Sequence, residues 1–418
     1  MGHRALRLIR NPPDPNAVRF VRQTIHSRRA SGTLTRASSQ WSIRDGKVVE
    51  VGNDQPAFSD NGLDIWEPVT NSLLYSEDFT NAVWDKSQVS VTSNQGTIPG
   101  LGQVLDLIAD NSTTAIHRVR QYFTSSSNVF AGGVFMKYSG GLEWVQLRVG
   151  SGGNTVRFDV DVKNKTANTP TTTGTGILYD YGIQLLDDDV IWASISGKDI
   201  DDGTGTYLYL AVANAPGAPA YSGTGQSVLL GGGVLSALSM MPPYIRTTSS
   251  TASLATNQYK LPISSSDLPS TGWTLLIEVV IHFSHTSKTP DSILLSSRND
   301  ANNYIHCSFG PAANDIIEFR KTVAGTNYNA TATGLVTYSP GTRLRIALRW
   351  DPSAGTDIFV NGSKGTNQAD TNAPVLGSTI DFHCFNGVCT SSAFSHRQFN
   401  TESHALTDSE CLAWTGNV

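Results

Sequence analysis

Residues Asn71–Val91 read NSLLYSEDFTNAVWDKSQVSV. An Asn leads into a short apolar pair (Leu73, Leu74), an acidic turn follows, and Trp84 opens a strand of alternating character. Outward from this stretch the alternation recurs. VFMKY, EWVQLRV, TVRFDVDV, VIWASIS and TYLYLAVAN are separated by Gly, Ser, Asn and Asp turns at regular intervals. Period-two alternation gives a strand one face for a core and one for its surroundings. Several short strands at this spacing specify a two-sheet, jelly-roll-like sandwich over residues 71–255.

The chain has 418 residues, too many for one ordinary core. Its 38 Gly and 18 Pro, with many Ser and Thr, suit short strands and frequent turns and disfavour helices. A hydrophobic content of 39% suffices for packed cores and excludes wholesale disorder. Residues 258–418 carry a second set of strands: WTLLIEVVIHF, DSILLSSR, NYIHCSFG, DIIEFRK, TRLRIALRWD, DIFVNGS and IDFHCF. The expected fold is therefore all-β, with two tandem jelly-roll-like sandwiches preceded by an extended N-terminal anchoring arm over residues 1–70. In that arm NPPDPN bars a helix, and WSIRDGKVVEV reads as a small hairpin around an Asp45-Gly46 turn. No apolar run approaches the roughly 20 residues of a membrane helix. MGHRALRLIRNPPDPN has neither an apolar signal region nor a myristoylation pattern, so a soluble protein without membrane insertion is expected.

Charge is uneven. The first fifty residues hold nine Arg and Lys47 against Asp14, Asp45 and Glu50, a balance of +7, which leaves −12 for the remainder of a chain whose net charge is −5. Such asymmetry marks an arm with its own partner, here through Arg4, Arg7, Arg10, Arg19 and Arg22. The arm lacks interleaved aromatics and any groove-reading motif, so an acidic protein surface is expected rather than nucleic acid. Four cysteines (Cys307, Cys384, Cys389, Cys411) fit neither a zinc knuckle nor a CxxC pair and read as buried thiols packed as small hydrophobes.

Asn71–Lys86 resembles the opening of a sandwich module found in bacteriophage tail and fibre proteins, N-L-L-x-x-S-E-x-F-x-N-A-x-W-x-K. Asn71, Leu74, Ser76, Glu77, Phe79, Asn81, Ala82, Trp84 and Lys86 fall on that pattern, and Ser72-Leu73 departs from it. PAFSDNGLDIWEPVTN before it and SMMPPYIRTTSST after it resemble the module's lead-in and closing strand. Further on, RIALRWD…DIFVNG resembles the laminin-G/concanavalin A-like lectins, and ALTDSECLAW resembles their terminal helix, with Thr407 and Asp408 as N-cap candidates and Glu410 in the first turn. The resemblance implies a bacteriophage virion protein, a tail fibre or tail-tip adhesin that contacts host surface glycans. It would dock on other virion proteins through the arm and assemble as a homotrimer. A head fibre or capsid decoration protein would use the same domains.

Catalytic patterns are missing. Glucanases on lectin-like folds carry E-x-D-x-x-E, and Asp64–Glu67 and Asp315–Glu318 have the wrong order and spacing for paired-carboxylate chemistry. With no G-x-S-x-G, H-E-x-x-H or phosphate loop, a polysaccharide depolymerase is the disfavoured rival. Asp199, Asp201 and Asp202 offer hard oxygens for Ca²⁺, the one cofactor the sequence suggests, but they depart from the EF-hand spacing, no distal Glu closes a loop, and the stronger reading is a plain solvated hairpin turn. Asp187–Asp189 and the pair Asp351 and Asp357 are weaker options of the same kind. Period-two arithmetic turns Trp144, Gln146 and Arg148 away from Val145, Leu147 and Val149, and Tyr207 and Tyr209 away from Leu208, Leu210 and Val212. That face reads either as a glycan platform or as a contact with a neighbouring domain or copy. Trp84 and Trp192 are expected in the core. Arg343, Arg345 and Arg349 share one face, solvated, against acidic neighbours, or toward an anionic polysaccharide, while His282, His306 and His383 fall on polar faces.

Overall fold

The computed structural model describes residues 17–21, 24–26, 33–60, 62–66, 68–111, 113–124, 127–198, 205–238, 240, 243–255, 257–263, 267–282, 292–310, 316–335, 337–338, 341–383 and 393–416, with backbone alone at 17–21, 24–26, 292, 383 and 393–400. The fold is all-β, with a single α-helix among the described residues. No helix among them is long and apolar enough to cross a membrane.

The Asn71–Val91 stretch ties the first sandwich together. Buried Asn71 donates from Nδ2 to the carbonyls of Gly233 (3.0 Å) and Ile245 (2.8 Å). It also accepts from the N–H groups of Leu73 (3.2 Å) and Leu235 (3.0 Å). A buried amide needs such partners, and no apolar residue could supply them here. Trp84 is buried against Phe79, and its Nε1–H donates to the Tyr75 carbonyl at 3.1 Å. The Lys86 ammonium donates to the carbonyls of Phe79, Thr80, Asn81 and Trp84, which closes the turn around it.

One sheet of this sandwich runs Val89–Ile98, Gly102–Asp110, Ser227–Ser236, Val129–Tyr138, Ile191–Lys198, Ile177–Leu185. The other runs Thr166–Ala167, Asn154–Asp161, Trp144–Ser151, Thr206–Ala213, Arg118–Phe123, Asp85–Ser87, with Thr171–Thr173 added to the Asn154–Asp161 strand. Between them Val145, Leu147, Val149, Leu208, Leu210 and Val212 meet Phe130, Val134, Met136, Ile191, Ala193 and Ile195. A fully buried side chain of this kind contributes about 1.5–3 kcal/mol. Trp84 belongs to this core, as expected. Trp192 does not. Ile191, Ala193 and Ile195 take the inward positions, so Trp192 is buried on the outer side of its sheet, with Phe135, Val48 and Tyr244.

The second sandwich pairs a nine-stranded sheet built on Trp273–Ile281, Arg343–Asp351 and Gly355–Val360 with a seven-stranded sheet built on Gln258–Pro262, Ser292–Asp300, Asn303–Phe309, Ile316–Val323 and Thr326–Thr333. Strands from the first seventy residues complete both sheets. Thr33–Thr35 pairs with Gln258–Pro262, and Gly62–Trp66 and Ala17–Val21 both pair with Ala393–Glu402, the latter in the register Ala17 to Asn400. The first sandwich is thus spliced into the second, with Val69–Asn71 and Ala252–Leu254 hydrogen-bonded as a clasp at the splice. Cys307 and Cys411 are buried free thiols, and burial pushes the Cys411 thiol up to about 12. Cys384 and Cys389 lie outside the described residues.

Helix Asp408–Thr415 starts at Thr407, whose hydroxyl accepts from the Glu410 N–H while the Glu410 carboxylate accepts from the Thr407 N–H, a reciprocal cap. It lies on Leu276, Ala347 and Phe359 through Cys411, Leu412 and Trp414.

The expected hairpin is also present, Gln40–Arg44 with Lys47–Val51. Asp45 and Gly46 both have positive φ (49° and 73°), the tight turn that matches strand twist. Buried Arg36 braces its open end by donating to the carbonyls of Ser38, Val51 and Gly52 and to Gln40 Oε1. The hairpin lies on the outer side of the six-stranded sheet, where Val48 N–H donates to the Pro99 carbonyl (2.9 Å) and Asp187 N–H to that of Gly46 (2.8 Å). It also touches the second sandwich: Ser42 Oγ donates to Asp64 (3.2 Å), and Asn257 Nδ2 donates to Gln40 Oε1 (2.7 Å) and the Asp64 carbonyl (3.1 Å).

Candidate functional site

The five residues singled out for a glycan platform do share one face, on the outside of the first sandwich's seven-stranded sheet. Strand Trp144–Ser151 lies beside Thr206–Ala213 with Arg148 opposite Tyr209, Gln146 opposite Ala211 and Trp144 opposite Ala213. Strand Arg118–Phe123 flanks the tyrosines on the other side, setting Arg120 opposite Tyr209 and Tyr122 opposite Tyr207. Val119 points into the core, so Arg118, Arg120 and Tyr122 extend the face. The sequence reading left these three out, although the alternation of RVRQY carries the signal.

Cations cover much of the aromatic surface. The Arg148 guanidinium lies 4.7 Å from the Tyr209 ring centroid and that of Arg118 5.5 Å from it, while Arg120 sits 4.8 Å from the centre of Tyr122. Tyr209 is only 4% exposed, Tyr207 is 8% exposed between Tyr122 and Tyr209, Trp144 is half-buried, and Tyr122 is 54% exposed. Polar groups lock the array. Gln146 Nε2 donates to Asp159 (2.8 Å), Arg148 Nε–H donates to Gln146 Oε1, and Arg120 pairs with Asp85 at 2.6 Å. Burial lowers the Arg148 pKa and raises that of the Tyr207 phenol. The arrangement holds planar cations and ring faces at fixed spacing on a flat sheet.

The other candidates separate cleanly. Arg343 and Arg345 both pair with Glu278, at 2.6 and 2.9 Å, and Arg349 pairs with Asp357 and Asp408. Although burial opposes its charge, hydrogen bonds from Arg343 and Arg345 hold the Glu278 carboxyl below its usual range. This stripe is neutralised against acidic neighbours beneath the terminal helix. Among the described residues no group of three or more His, Cys, Asp or Glu converges as a metal site. Asp199, Asp201 and Asp202 lie outside the described residues, as do Arg4, Arg7, Arg10 and Arg22, and Arg19 is described only in its backbone. Asp189 is paired with Lys165, Asp357 with Arg349 and Lys364, and Asp351 accepts from Ser353. His306 lies 3.9 Å from Glu318, and the His383 side chain is outside the described residues.

A concave site lies on the opposite side of the same sandwich, where the hairpin, the six-stranded sheet and strand Gly62–Trp66 meet. It is a cleft of about 130 Å³ whose walls include Trp41, Trp66, Trp192 and Tyr244. These residues come from distant segments, so no sequence pattern pointed to it.

No family model matches the chain, and neither does any curated protein. Solved structures give partial likenesses. The binding domain of botulinum neurotoxin DC in complex with rat synaptotagmin II matches over 38% of this chain and 39% of its own, at 10% identity and a TM-score of 0.32. The receptor-binding domain of the botulinum neurotoxin C/D mosaic serotype matches over 39% and 41%, at 14% identity and 0.32, and the botulinum neurotoxin serotype C1 binding domain over 38% and 40%, at 11% and 0.31. The match thus spans about two fifths of each of those chains, and at these scores it leaves the functional reading to this chain's own residues.

Proposed function

We propose that this chain is a non-catalytic adhesin that binds acidic surface glycans, and that it works on a bacteriophage particle as a tail-fibre or tail-tip component. The observation that supports the glycan reading is the Tyr–Arg face. Guanidinium groups pair with carboxylate or phosphate oxygens, and ring faces pack on the apolar side of a pyranose. Arg118, Arg120, Arg148 and Tyr122 with half-buried Trp144 offer both at once. A flat face of this kind binds each sugar weakly, and threefold assembly of the chain would multiply that affinity by avidity. The basic segment containing Arg4, Arg7, Arg10, Arg19 and Arg22 would dock on an acidic partner in the particle. The particle reading rests on the resemblance carried by Asn71–Lys86.

A catalytic role has no support in the buried carboxylates. Asp110 accepts from the N–H groups of Thr224, Gly225 and Gln226, Asp106 from those of Phe79 and Asn94, and Asp357 is held by Arg349.

The test is biolayer interferometry of the full chain on immobilised hyaluronan, polysialic acid and alginate, with dextran as the neutral control. Binding to at least one acidic polymer should fall about 10-fold in the Arg120→Met/Arg148→Met double variant, a loss of roughly 1.4 kcal/mol. It should also weaken as salt is raised, because exposed charges are screened. Failure to bind any of the three, or equal binding by the variant, rejects the reading. Immunogold labelling of particles addresses location separately: label at the tail fibres or tip supports the assignment, and label elsewhere or none removes it.

A further inference from the structure

We infer that the cleft between the hairpin and the six-stranded sheet is a second saccharide site, and that it takes one uncharged hexopyranose residue. The floor of the cleft is Ser194. On both neighbouring strands the residue in register with it is glycine, Gly133 on one side and Gly182 on the other, so neither strand sets a side chain of its own directly beside it. Ser194 is fully buried on the outer side of its sheet, and its Oγ has no hydrogen-bond partner. A buried hydroxyl in that state is destabilising unless something in the cleft bonds to it. Gly133 has a second effect. A Cβ there would come within 2.5 Å of the Trp192 ring, so glycine lets the indole lie against the sheet beside the serine.

The walls supply what a sugar ring needs. Trp41 and Tyr244 stand edge-to-face at 5.9 Å, and Trp192 and Tyr244 at 6.2 Å. On the opposite wall Trp66 is stacked with His282 at 5.8 Å and an interplanar angle of 15°. Aromatic rings on several sides suit the apolar faces of a pyranose, while the Gln184 amide and the Asp64 carboxylate, held by Ser42 and Ser59, suit its hydroxyls.

Charge selects among sugars. No Lys or Arg is among the described residues that line the cleft, and Asp64 is its one carboxylate. Burial pushes His282 down to about 4, so this ring is neutral under ordinary conditions. A uronic acid, a sialic acid or a phosphate would bring a second negative charge beside Asp64, with no cation among the described lining residues to offset it. The cleft therefore excludes the acidic sugars that the opposite face would favour, and it stands whether or not that face binds glycans.

Saturation-transfer NMR and calorimetry on the full chain test this, with methyl β-D-glucopyranoside, methyl β-D-galactopyranoside, methyl α-D-mannopyranoside, glucuronic acid and benzyl alcohol as probes. At least one neutral glycoside should saturate with Kd of about 1 mM, while glucuronic acid shows no transfer. Ser194→Ala should weaken that binding about 5-fold while leaving the melting temperature unchanged or higher, because it deletes a buried hydroxyl that lacks a partner. Trp41→Ala, at a half-exposed position, should abolish binding with the circular dichroism spectrum retained. Arg120→Met/Arg148→Met should bind the neutral glycoside as well as the parent does. The inference falls if no neutral glycoside binds at about 50 mM, if benzyl alcohol is preferred, if glucuronic acid binds equally, or if both cleft variants bind unchanged.

Discussion

The Tyr–Arg face and the tryptophan cleft lie on opposite sheets of one sandwich, and they treat aromatic rings in contrasting ways. On the face, neighbouring strands place Arg148 and Arg120 directly opposite Tyr209, and guanidinium groups rest on the rings. The result is flat and cationic. In the cleft the rings arrive from four separate stretches of chain and leave a hollow with one unpartnered hydroxyl at its base and no lining cation among the described residues. The number of aromatic side chains on a surface therefore says little about sugar binding. What already covers each ring, and whether the surroundings are concave, decides what remains for a ligand.

The contrast can be broken by experiment. Arg36→Ala should have the largest effect, since it strips four side-chain hydrogen bonds and a buried charge from the hairpin that walls the cleft. A loss of about 3 kcal/mol in urea denaturation is expected, with neutral-glycoside binding abolished and hyaluronan binding retained. Loss of both activities would show that the two surfaces are coupled. Gly133→Ala comes next. Its Cβ collides with the Trp192 ring, so overpacking should cost about 2 kcal/mol and displace the indole from the cleft, visible as a shift in tryptophan fluorescence. An unchanged spectrum would mean that the indole has room to adjust and that the glycine is not what seats it.

The smallest effect is in pH. His282 is held neutral by burial, with its pKa lowered from 6.5 to about 4. Between those values the unfolded chain binds a proton that the folded chain does not. Stability is therefore complete above about pH 6.5 and declines as pH falls toward 4, by about 1 kcal/mol for a ring that keeps some solvent contact. Thermal melts across this range should show the decline, and His282→Gln should flatten it. An equal slope in the variant would place the titration elsewhere.

Much of the scaffold was legible because it is encoded locally. The Asp45-Gly46 turn and the outward direction of Tyr207 and Tyr209 follow from spacing alone, and the Thr407 cap with Glu410 follows from local cap residues once the resemblance to a terminal helix is noticed. The coverage of Tyr209 was not legible, because it depends on the strand pairing that brings Arg148 and Arg118 over its ring. Which of two core clusters holds Trp192 was not legible for a similar reason: alternation tells which residues share a side, and in a strand as apolar as VIWASIS both sides look like core. Glu278, one acid in the apolar run WTLLIEVVI, was the clue that the Arg343–Arg349 stripe had partners. The cleft left no pattern at all, since its walls meet only after the N-terminal strands dock.

That docking also sets a timetable. Ala17 pairs with Asn400, whereas the sheets of the first sandwich draw on residues 85–236. At about 5–20 residues per second, the ribosome needs roughly 20–80 s between making one side of the Ala17 pairing and making the other. Throughout that interval the first sandwich can fold while the early strands wait with bare edges. Those edges are where a nascent chain would pair wrongly with its neighbour, so yield during expression should depend on how crowded the ribosomes are as much as on the stability of the finished protein.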